Sequence, residues 1–128
     1  MVPVNQDFLD LRTRAELLEL CDDLDGATKL RERSLEVARE VDLVCYGYQL
    51  LWRNRAGDAI DLLERNAARN PGSWNAWDSL GDAYAQQGDI RRAAECYGRA
   101  SQLVRNEEER RRIERNLRDM IALGALAS

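Results

Sequence analysis

Residues of matching character recur 34 positions apart in the middle of this chain, and that spacing limits the folds it can form. Gly47 and Gly81 are separated by 34 residues, and so are Ala59 and Ala93. Each alanine follows a turn that contains glycine and aspartate. A period of roughly 20 to 50 residues is typical of repeat proteins, in which each unit packs only on its neighbours. The period therefore predicts a stacked array without a single central core.

The apolar pattern between these positions predicts helices joined by short turns. Apolar side chains recur at i, i+3 and i+4, nothing alternates with period two, and the chain has only 2 prolines. Ser73 and Asp89 each precede such a stretch and are predicted N-caps. A last helix is expected after Asn106, with an apolar stripe from Ile113 to Leu123 and Arg110–Arg112 as a solvated basic face.

One stretch has the residue spacing of a known repeat. Its signature positions are Trp77, Leu80, Gly81, Tyr84, Gly88, Ala93, Tyr97 and Ala100. This stretch resembles the tetratricopeptide repeat (TPR), and the preceding 34 residues match the same pattern more weakly and are closed by Pro71. Arg105 stands where the family has proline, which leaves the final turn of the stronger copy undefined.

The resemblance implies an all-α fold, a right-handed α-solenoid of about three TPR helix-turn-helix pairs plus a C-terminal capping helix, hence seven helices. We expect a single TPR domain over residues 1–128. It is expected to comprise a degenerate repeat (7–39), a second repeat (40–73), the strongest repeat (74–105) and the capping helix (106–123). An atypical terminal repeat is usual in such arrays.

Composition argues against catalysis. The chain has no histidine, which excludes Ser-His-Asp and Cys-His nucleophile systems and histidine-ligated zinc. Its 3 cysteines are widely separated and form no Cys-x-x-Cys pair, so neither a disulfide framework nor a zinc site is expected. We therefore predict a protein that is not an enzyme and that uses no cofactor or metal.

Charge and hydropathy limit the classes of partner that we expect and the cellular location. Residues 1–64 carry 8 basic and 14 acidic side chains, a net charge of −6, which argues against nucleic acid as a partner. The uncharged runs are shorter than the roughly 20 residues that span a bilayer, so no membrane association is expected. Unpaired cysteines favour a reducing cytoplasm, and arginine-rich basic composition favours a bacterial source.

The family resemblance also implies where a partner would bind. The first helix of each pair lines a concave groove with residues at five fixed positions. The predicted groove residues are Val44, Tyr48, Leu51, Trp52, Asn75, Asp78, Asp82 and Gln86. Tyr48 and Trp52 are spaced i, i+4 and form a candidate anchor pair, with packing of Trp52 against the adjacent helix as the alternative.

The expected function is a non-catalytic adaptor that binds a protein or peptide in this groove. The groove should be apolar and aromatic at its centre and acidic at its flanks, which suits a segment with an apolar anchor and basic neighbours. Asp78 and Asp82 would repel the terminal carboxylate that some TPR proteins clamp. The same two residues have the i, i+4 spacing of an acid–base pair, but without a histidine or metal-ligand cluster beside them, solvated groove residues are favoured.

Two alternative functions remain open at this point. In the first, the chain is an accessory or regulatory domain of a catalytic, hydrolase-like partner, since the segment 70–84 resembles repeats that are appended to serine hydrolases. In the second, it is a self-associating scaffold, with a homodimer formed through the apolar groove or through the Ile113–Leu123 stripe.

Overall fold

The computed structural model describes residues 4–127, with side chains through residue 126. Residues 1–3 and 128, which the predicted domain includes, lie outside the described residues. Within that range the helices are α1 (Gln6–Leu20), α2 (Leu24–Val37), α3 (Glu40–Trp52), α4 (Ala56–Arg69), α5 (Trp74–Gln87), α6 (Ile90–Leu103) and α7 (Glu107–Ala127). The predicted all-α architecture of seven helices is confirmed for this part of the chain.

The chain divides into two compact units, Met1–Cys45 and Tyr46–Ser128, so α3 contributes residues to both. In the first unit, α1 and α2 pack against each other. Ala15 and Ala27 are fully buried there, beside buried Leu30 and partly buried Leu11 and Leu18. Because alanine has a small side chain, the two helices can approach closely, as expected for the crossing point of a first helix pair.

Asp42 joins the start of α1 to the start of α3 within the first unit. Its side chain is completely buried, and its carboxylate accepts hydrogen bonds from the backbone N–H groups of Asn5 at 2.7 Å and Arg39 at 2.8 Å. The Arg39 guanidinium also donates to it at 3.0 Å. Burial alone would raise the pKa of this carboxyl, but the Arg39 and Asn5 donors hold the pKa of Asp42 below its ordinary value.

In the second unit, two glycines mark the points where paired helices cross. A Cβ atom on Gly47 of α3 would lie 2.7 Å from Leu63 Cδ2 of α4. A Cβ atom on Gly81 of α5 would lie 2.8 Å from Tyr97 Cδ1 of α6. Real Cβ contacts are not this short, so a side chain at either position would force Leu63 or Tyr97 to shift, and glycine lets the helices pack at this distance. The recurrence of Gly47 at Gly81 thus has a direct structural cause.

Helix ends in the second unit follow the capping residues. Ser73 accepts a hydrogen bond from the Ala76 N–H at 3.3 Å, and Asp89 accepts one from the Arg92 N–H at 3.2 Å, which confirms both predicted N-caps. Gly88 ends α5 with φ of +88°, a backbone conformation that side chains with a Cβ disfavour. These caps set the short α5–α6 turn.

The last helix, α7, packs against α6 through a narrow apolar stripe. Ile113 is fully buried, whereas Ile121, Leu123 and Leu126 are exposed. The Ile113 end of the predicted stripe is therefore already covered within the chain, and only the C-terminal end leaves apolar side chains uncovered. No helix among the described residues is long and apolar enough to cross a bilayer.

Candidate functional site

In the second unit, equivalent positions on α3, α5 and α7 are hydrogen-bonded to each other. The Tyr48 hydroxyl of α3 donates to Asp82 of α5, and the Arg112 guanidinium of α7 donates to Asp78 of α5. Each of these pairs is separated by 34 residues, the sequence period. Polar side chains one period apart therefore link α3 to α5 and α5 to α7.

Asp82 is held by two phenols. Its Oδ2 accepts from Tyr48 at 2.6 Å and its Oδ1 accepts from Tyr97 of α6 at 2.5 Å. Burial and the nearby Asp82 charge raise the pKa of Tyr48, and burial together with the hydrogen bond to Asp82 raises the pKa of Tyr97. Both phenols consequently remain protonated donors at neutral pH, and the carboxylate is fixed between three helices.

Asp78 is more deeply buried than its predicted place in a solvated groove allows. It is only 2% exposed, and its Oδ2 accepts from Arg112 at 2.7 Å, while its Oδ1 is buried and has no hydrogen-bond partner among the described residues. Burial raises the pKa of Asp78 above its ordinary value, although the Arg112 guanidinium acts in the opposite direction. Asp78 therefore cannot serve as an accessible acidic contact.

The partner of Asp78 corrects the prediction for the basic run on α7. Arg112 pairs with both Asp78 at 2.7 Å and Glu109 at 2.9 Å, so the prediction of a wholly solvated Arg110–Arg112 face is wrong for this residue. Arg111 is exposed to solvent as predicted: its side chain is 75% exposed and lies 3.9 Å from Glu107. The difference arises because position 112 is the counterpart of position 78, on the side of α7 that meets α5.

The C-terminal end of α3 presents an uncovered indole. Trp52 is 92% exposed, so the alternative in which it packs against an adjacent helix is wrong. Next to it, Leu51 is buried, and its carbonyl oxygen accepts a hydrogen bond from Gln86 Nε2 of α5 at 2.8 Å. This bond satisfies a last-turn carbonyl of α3 and holds the ends of α3 and α5 together beside Trp52.

The two remaining predicted residues lie elsewhere. Asn75 is half-buried in the first turn of α5, where its carbonyl oxygen accepts from the Ser79 hydroxyl at 2.8 Å. Val44 belongs to the first unit and is 7% exposed. The structure thus groups Tyr48, Asp78 and Asp82 in one polar cluster.

The carboxylates and thiols of the described residues do not form a metal-binding group. Among the described residues, no three His, Cys, Asp or Glu side chains are grouped so that they could hold a metal ion. Cys21 is exposed, Cys45 is half-buried and Cys96 is buried, and all three are free thiols. Burial raises the pKa of Cys96 to about 12, so this thiol is protonated at neutral pH.

Comparison with known proteins gives matches at the level of structure. No protein-family model matches the sequence. A search of curated proteins also finds no match. The structure of the Sgt2 TPR domain from Aspergillus fumigatus superposes with a TM-score of 0.65 at 16% identity, covering 97% of this chain and 83% of that chain. The first TPR domain of Spaghetti (RPAP3), bound to the HSP90 peptide SRMEEVD, gives a TM-score of 0.62 at 19% identity and covers 100% of both chains.

The chain has the tetratricopeptide-repeat fold. The TPR period explains why the polar contacts of α3, α5 and α7 fall 34 residues apart, since each helix that begins a repeat carries the same positions in the same direction. A chain with this fold needs no single core, because each repeat packs on its neighbours.

Sequence reasoning missed two hydrogen-bond partners of the polar cluster, Arg112 and Tyr97. Arg112 was detectable, because extending the 34-residue register from Asp78 into the last helix leads directly to it. Tyr97 enters the sequence pattern only as a signature position of the repeat. Its hydroxyl reaches Asp82 because Gly81, which lies under the Tyr97 ring, lets α6 approach α5 closely.

Proposed function

We propose that this TPR chain is a non-catalytic interaction module that binds a peptide or protein segment along α3 and α5. The residues proposed to contact the partner are the accessible ones of the predicted set: Tyr48, Trp52, Asp82 and Gln86. Asn75 lies at the opposite end of α5 from Gln86, in the first turn. Leu51 and Asp78 are buried and are proposed to shape the surface only, whereas Val44 belongs to the first unit and is not part of this surface.

The exposed Trp52 is the observation that carries this proposal. An indole that is 92% exposed gains little from folding, and tryptophan is enriched among the residues that dominate binding energy at interfaces. Tyr48 lies one helical turn before it, and Gln86 is fixed beside it through the Leu51 carbonyl. A partner would therefore meet a prearranged surface, which lowers the entropic cost of binding.

The internal partners of Asp78 and Asp82 support a binding role in preference to an acid–base role. Asp82 accepts from two phenols and Asp78 from a guanidinium, so neither carboxylate is poised to transfer a proton to a substrate. Asp82 is nevertheless an acidic side chain that is only half-buried, one helical turn before Gln86 on α5. The preferred partner is thus a segment with an apolar anchor and a basic neighbour. The proposed location is a reducing cytoplasm, in which the three thiols stay free.

The structural neighbour that binds an HSP90 peptide shows that this fold accommodates an acidic segment. In the present chain, the half-buried acidic side chain of Asp82 makes the α5 surface unfavourable for a carboxylate-rich segment. We therefore propose the opposite charge preference for this surface.

A displayed library of random peptides tests the proposal. We expect enrichment of sequences that combine an aromatic or aliphatic residue with lysine or arginine. Trp52→Ala should weaken binding of an enriched peptide at least tenfold, and Asp82→Asn, which keeps the side-chain shape, should weaken it by a smaller factor. Arg91→Ala is the matched control, because Arg91 is 90% exposed on α6. Equal affinity of the parent and the Trp52→Ala variant would show that the binding surface lies elsewhere.

Self-association is a second candidate function, favoured by the end of α7. Ile121 is 58% exposed and Leu126 is 84% exposed, in a run without charged residues. Two such ends can cover each other in a two-fold dimer. Mass measured across a dilution series tests this, with Leu126→Glu expected to leave only monomer. A monomer at every concentration in the parent chain excludes it.

A further inference from the structure

The linker between α6 and α7, residues 104–106, lacks the features that fix the other two linkers between helix pairs. The α4–α5 linker contains Pro71 and Gly72, which lie 34 residues before the equivalent positions of the α6–α7 linker, and proline interrupts a helix because it has no N–H donor. The α2–α3 linker is held by the completely buried carboxylate of Asp42. The α6–α7 linker has the sequence Val-Arg-Asn, without proline or glycine, so a helix is able to continue through it.

Two hydrogen bonds and one buried side chain stabilise the bend at this linker. The Asn106 side chain accepts from the Glu109 N–H at 2.9 Å, and the Arg110 guanidinium donates to the Val104 carbonyl oxygen at 2.6 Å. Val104 itself is only 1% exposed. In a continuous helix, the N–H groups of residues 105–108 would instead bond to the carbonyl oxygens four residues earlier. Both forms of the linker therefore make backbone hydrogen bonds, and the burial of Val104 favours the bent form in a single chain.

The contacts that hold α7 on the rest of the second unit depend on the two surfaces and not on the linker. Ile113 is fully buried, and the Arg112 guanidinium donates to Asp78 of α5 at 2.7 Å. A Cβ atom on Gly124, near the end of α7, would lie 3.9 Å from Ile90 Cγ2 at the start of α6, so the two helices run antiparallel. An α7 helix from a second copy of the chain would make the same contacts on this surface.

We propose that two copies of this chain exchange α7. In each copy, α6, the linker and α7 form one continuous helix, and α7 covers the α5–α6 surface of the other copy. Because α6 and α7 pack antiparallel, two such helices lie side by side about a two-fold axis. The short linker gives α7 an effective concentration of roughly 1 mM at its own surface. The closed monomer therefore prevails in dilute solution, and the exchanged dimer forms at high protein concentration.

The exchanged dimer is distinct from a dimer formed through the exposed end of α7. It reuses the surface that α7 covers within one chain, so it does not require the exposed side chains of Ile121 and Leu126. It is also independent of peptide binding at Trp52. If that surface does bind a partner, the exchanged dimer presents it twice and binds a partner with two matching segments more tightly.

Linker variants test the exchange by size-exclusion chromatography after incubation at about 1 mM. We expect a dimer fraction in the parent chain and a fraction at least threefold larger in Asn106→Ala, which removes the cap of the bent form. Arg105→Pro should reduce the dimer at least tenfold, because proline interrupts the continuous helix. The bent form accepts this proline, since Val104 already has the extended backbone that precedes proline, with φ of −70° and ψ of 135°. Arg105→Gly, which also disfavours a helix, should reduce the dimer as well.

An engineered disulfide identifies the chain that supplies α7. Ile90→Cys and Gly124→Cys place two thiols within reach of each other, in a background in which the 3 native cysteines are replaced by alanine. Oxidation of the isolated dimer should link the two chains, which gives a covalent dimer on a non-reducing gel. The isolated monomer, oxidised in the same way, is the control and should form the disulfide only within one chain.

Four results would overturn the proposal. They are absence of a dimer from both the parent and Asn106→Ala, a dimer that Arg105→Pro and Arg105→Gly leave unchanged, a disulfide within one chain in the isolated dimer, and loss of the dimer in Leu126→Glu. The last result would assign the dimer to the exposed end of α7. Trp52→Ala should leave the dimer unchanged, so failure of the exchange and failure of the proposed peptide binding are separate outcomes.

Discussion

Tyr48 donates a hydrogen bond of 2.6 Å to Asp82 across a separation of 34 residues, so the phenol of one repeat is the partner of the carboxylate at the same position in the next. Tyr97 donates to the other oxygen of the same carboxylate. A repeat array is stabilised by the contacts between neighbouring repeats, and here one of those contacts is a specific hydrogen bond between polar side chains. Asp82 thereby fixes the packing of α3, α5 and α6 at one level of the second unit.

The first prediction concerns Tyr97→Phe, which removes one of the two donors to Asp82. A hydrogen bond to a charged group contributes about 1.5–3 kcal/mol, and Asp82 is half-buried, so we expect the free energy of unfolding to fall by about 1–3 kcal/mol. Urea unfolding followed by circular dichroism measures this change.

Tyr84→Phe is the matched control for that experiment. Its hydroxyl also donates to a carboxylate, but Glu64 is exposed and can hydrogen-bond to water instead. The control should lose less than about 1 kcal/mol. An equal loss in both variants would mean that the Asp82 cluster has no special role.

The second prediction concerns the glycine at the α5–α6 crossing. Gly81→Ala places a methyl group about 2.8 Å from the Tyr97 ring and should destabilise the chain by about 1–3 kcal/mol, despite the better helix propensity of alanine. Gly98→Ala on α6 is the control, because a Cβ atom added to Gly98 would meet no neighbouring group within 4 Å. Gly98→Ala should stabilise the chain by about 0.5–1 kcal/mol. If thermal unfolding shows that Gly81→Ala lowers the stability and Gly98→Ala raises it, the close approach of α5 and α6 at Gly81 is supported. An unchanged stability of the Gly81→Ala variant contradicts it.

The helices and their crossing points were predictable from sequence because each depends on local spacing or on a repeated small residue. Ser73 and Asp89 are caps within a few residues of the N–H groups that they accept from, and Gly47 recurs as Gly81. The 34-residue period predicted the order of the remaining helices. Local and periodic patterns therefore carry most of this fold.

The state of the groove side chains was less predictable because it depends on contacts made through space. The sequence alone predicts Asp78 to be a solvated helix residue. Its burial becomes clear only from the contact with Arg112 of α7. Trp52 has an apolar side chain that sequence alone permits either inside or outside, and its position at the end of α3 leaves it exposed. Burial of a charge and exposure of an indole are decided by neighbouring helices, which sequence spacing does not specify.

The third prediction concerns Arg112→Ala, which removes the partner of the buried Asp78. Loss of one member of a buried ion pair costs about 3–5 kcal/mol, but Arg112 is 41% exposed, so we expect a smaller loss of about 1–3 kcal/mol. Arg111→Ala is the control, since Arg111 is 75% exposed and its contact with Glu107 is 3.9 Å. The control should change stability by less than about 0.5 kcal/mol. If denaturant unfolding shows equal losses of stability in the two variants, Arg112 has no special role.

The fourth prediction is an acid-dependent loss of stability in the first unit. The pKa of Asp42 is lower in the folded chain than the ordinary value of 3.8, so the unfolded chain binds the proton more tightly. The stabilisation from Asp42 is fully present above the unfolded pKa and is lost as pH falls through the folded pKa. Asp42→Asn should therefore differ most from the parent at neutral pH, and the difference should shrink below about pH 4. Amide hydrogen exchange in α1, measured against pH, checks this.

Asp78 should show the opposite pH dependence in the second unit. Its folded pKa lies above 3.8 because of burial, so the folded chain binds the proton more tightly than the unfolded chain. Its contribution to stability therefore falls as pH rises from the unfolded pKa through the folded pKa. Relative to Asp78→Asn, the parent should become less stable over this interval, as measured by amide exchange in α5. The same sign of change in α1 and α5 would contradict the two pKa shifts, because a depressed pKa at Asp42 and a raised pKa at Asp78 give slopes of opposite sign.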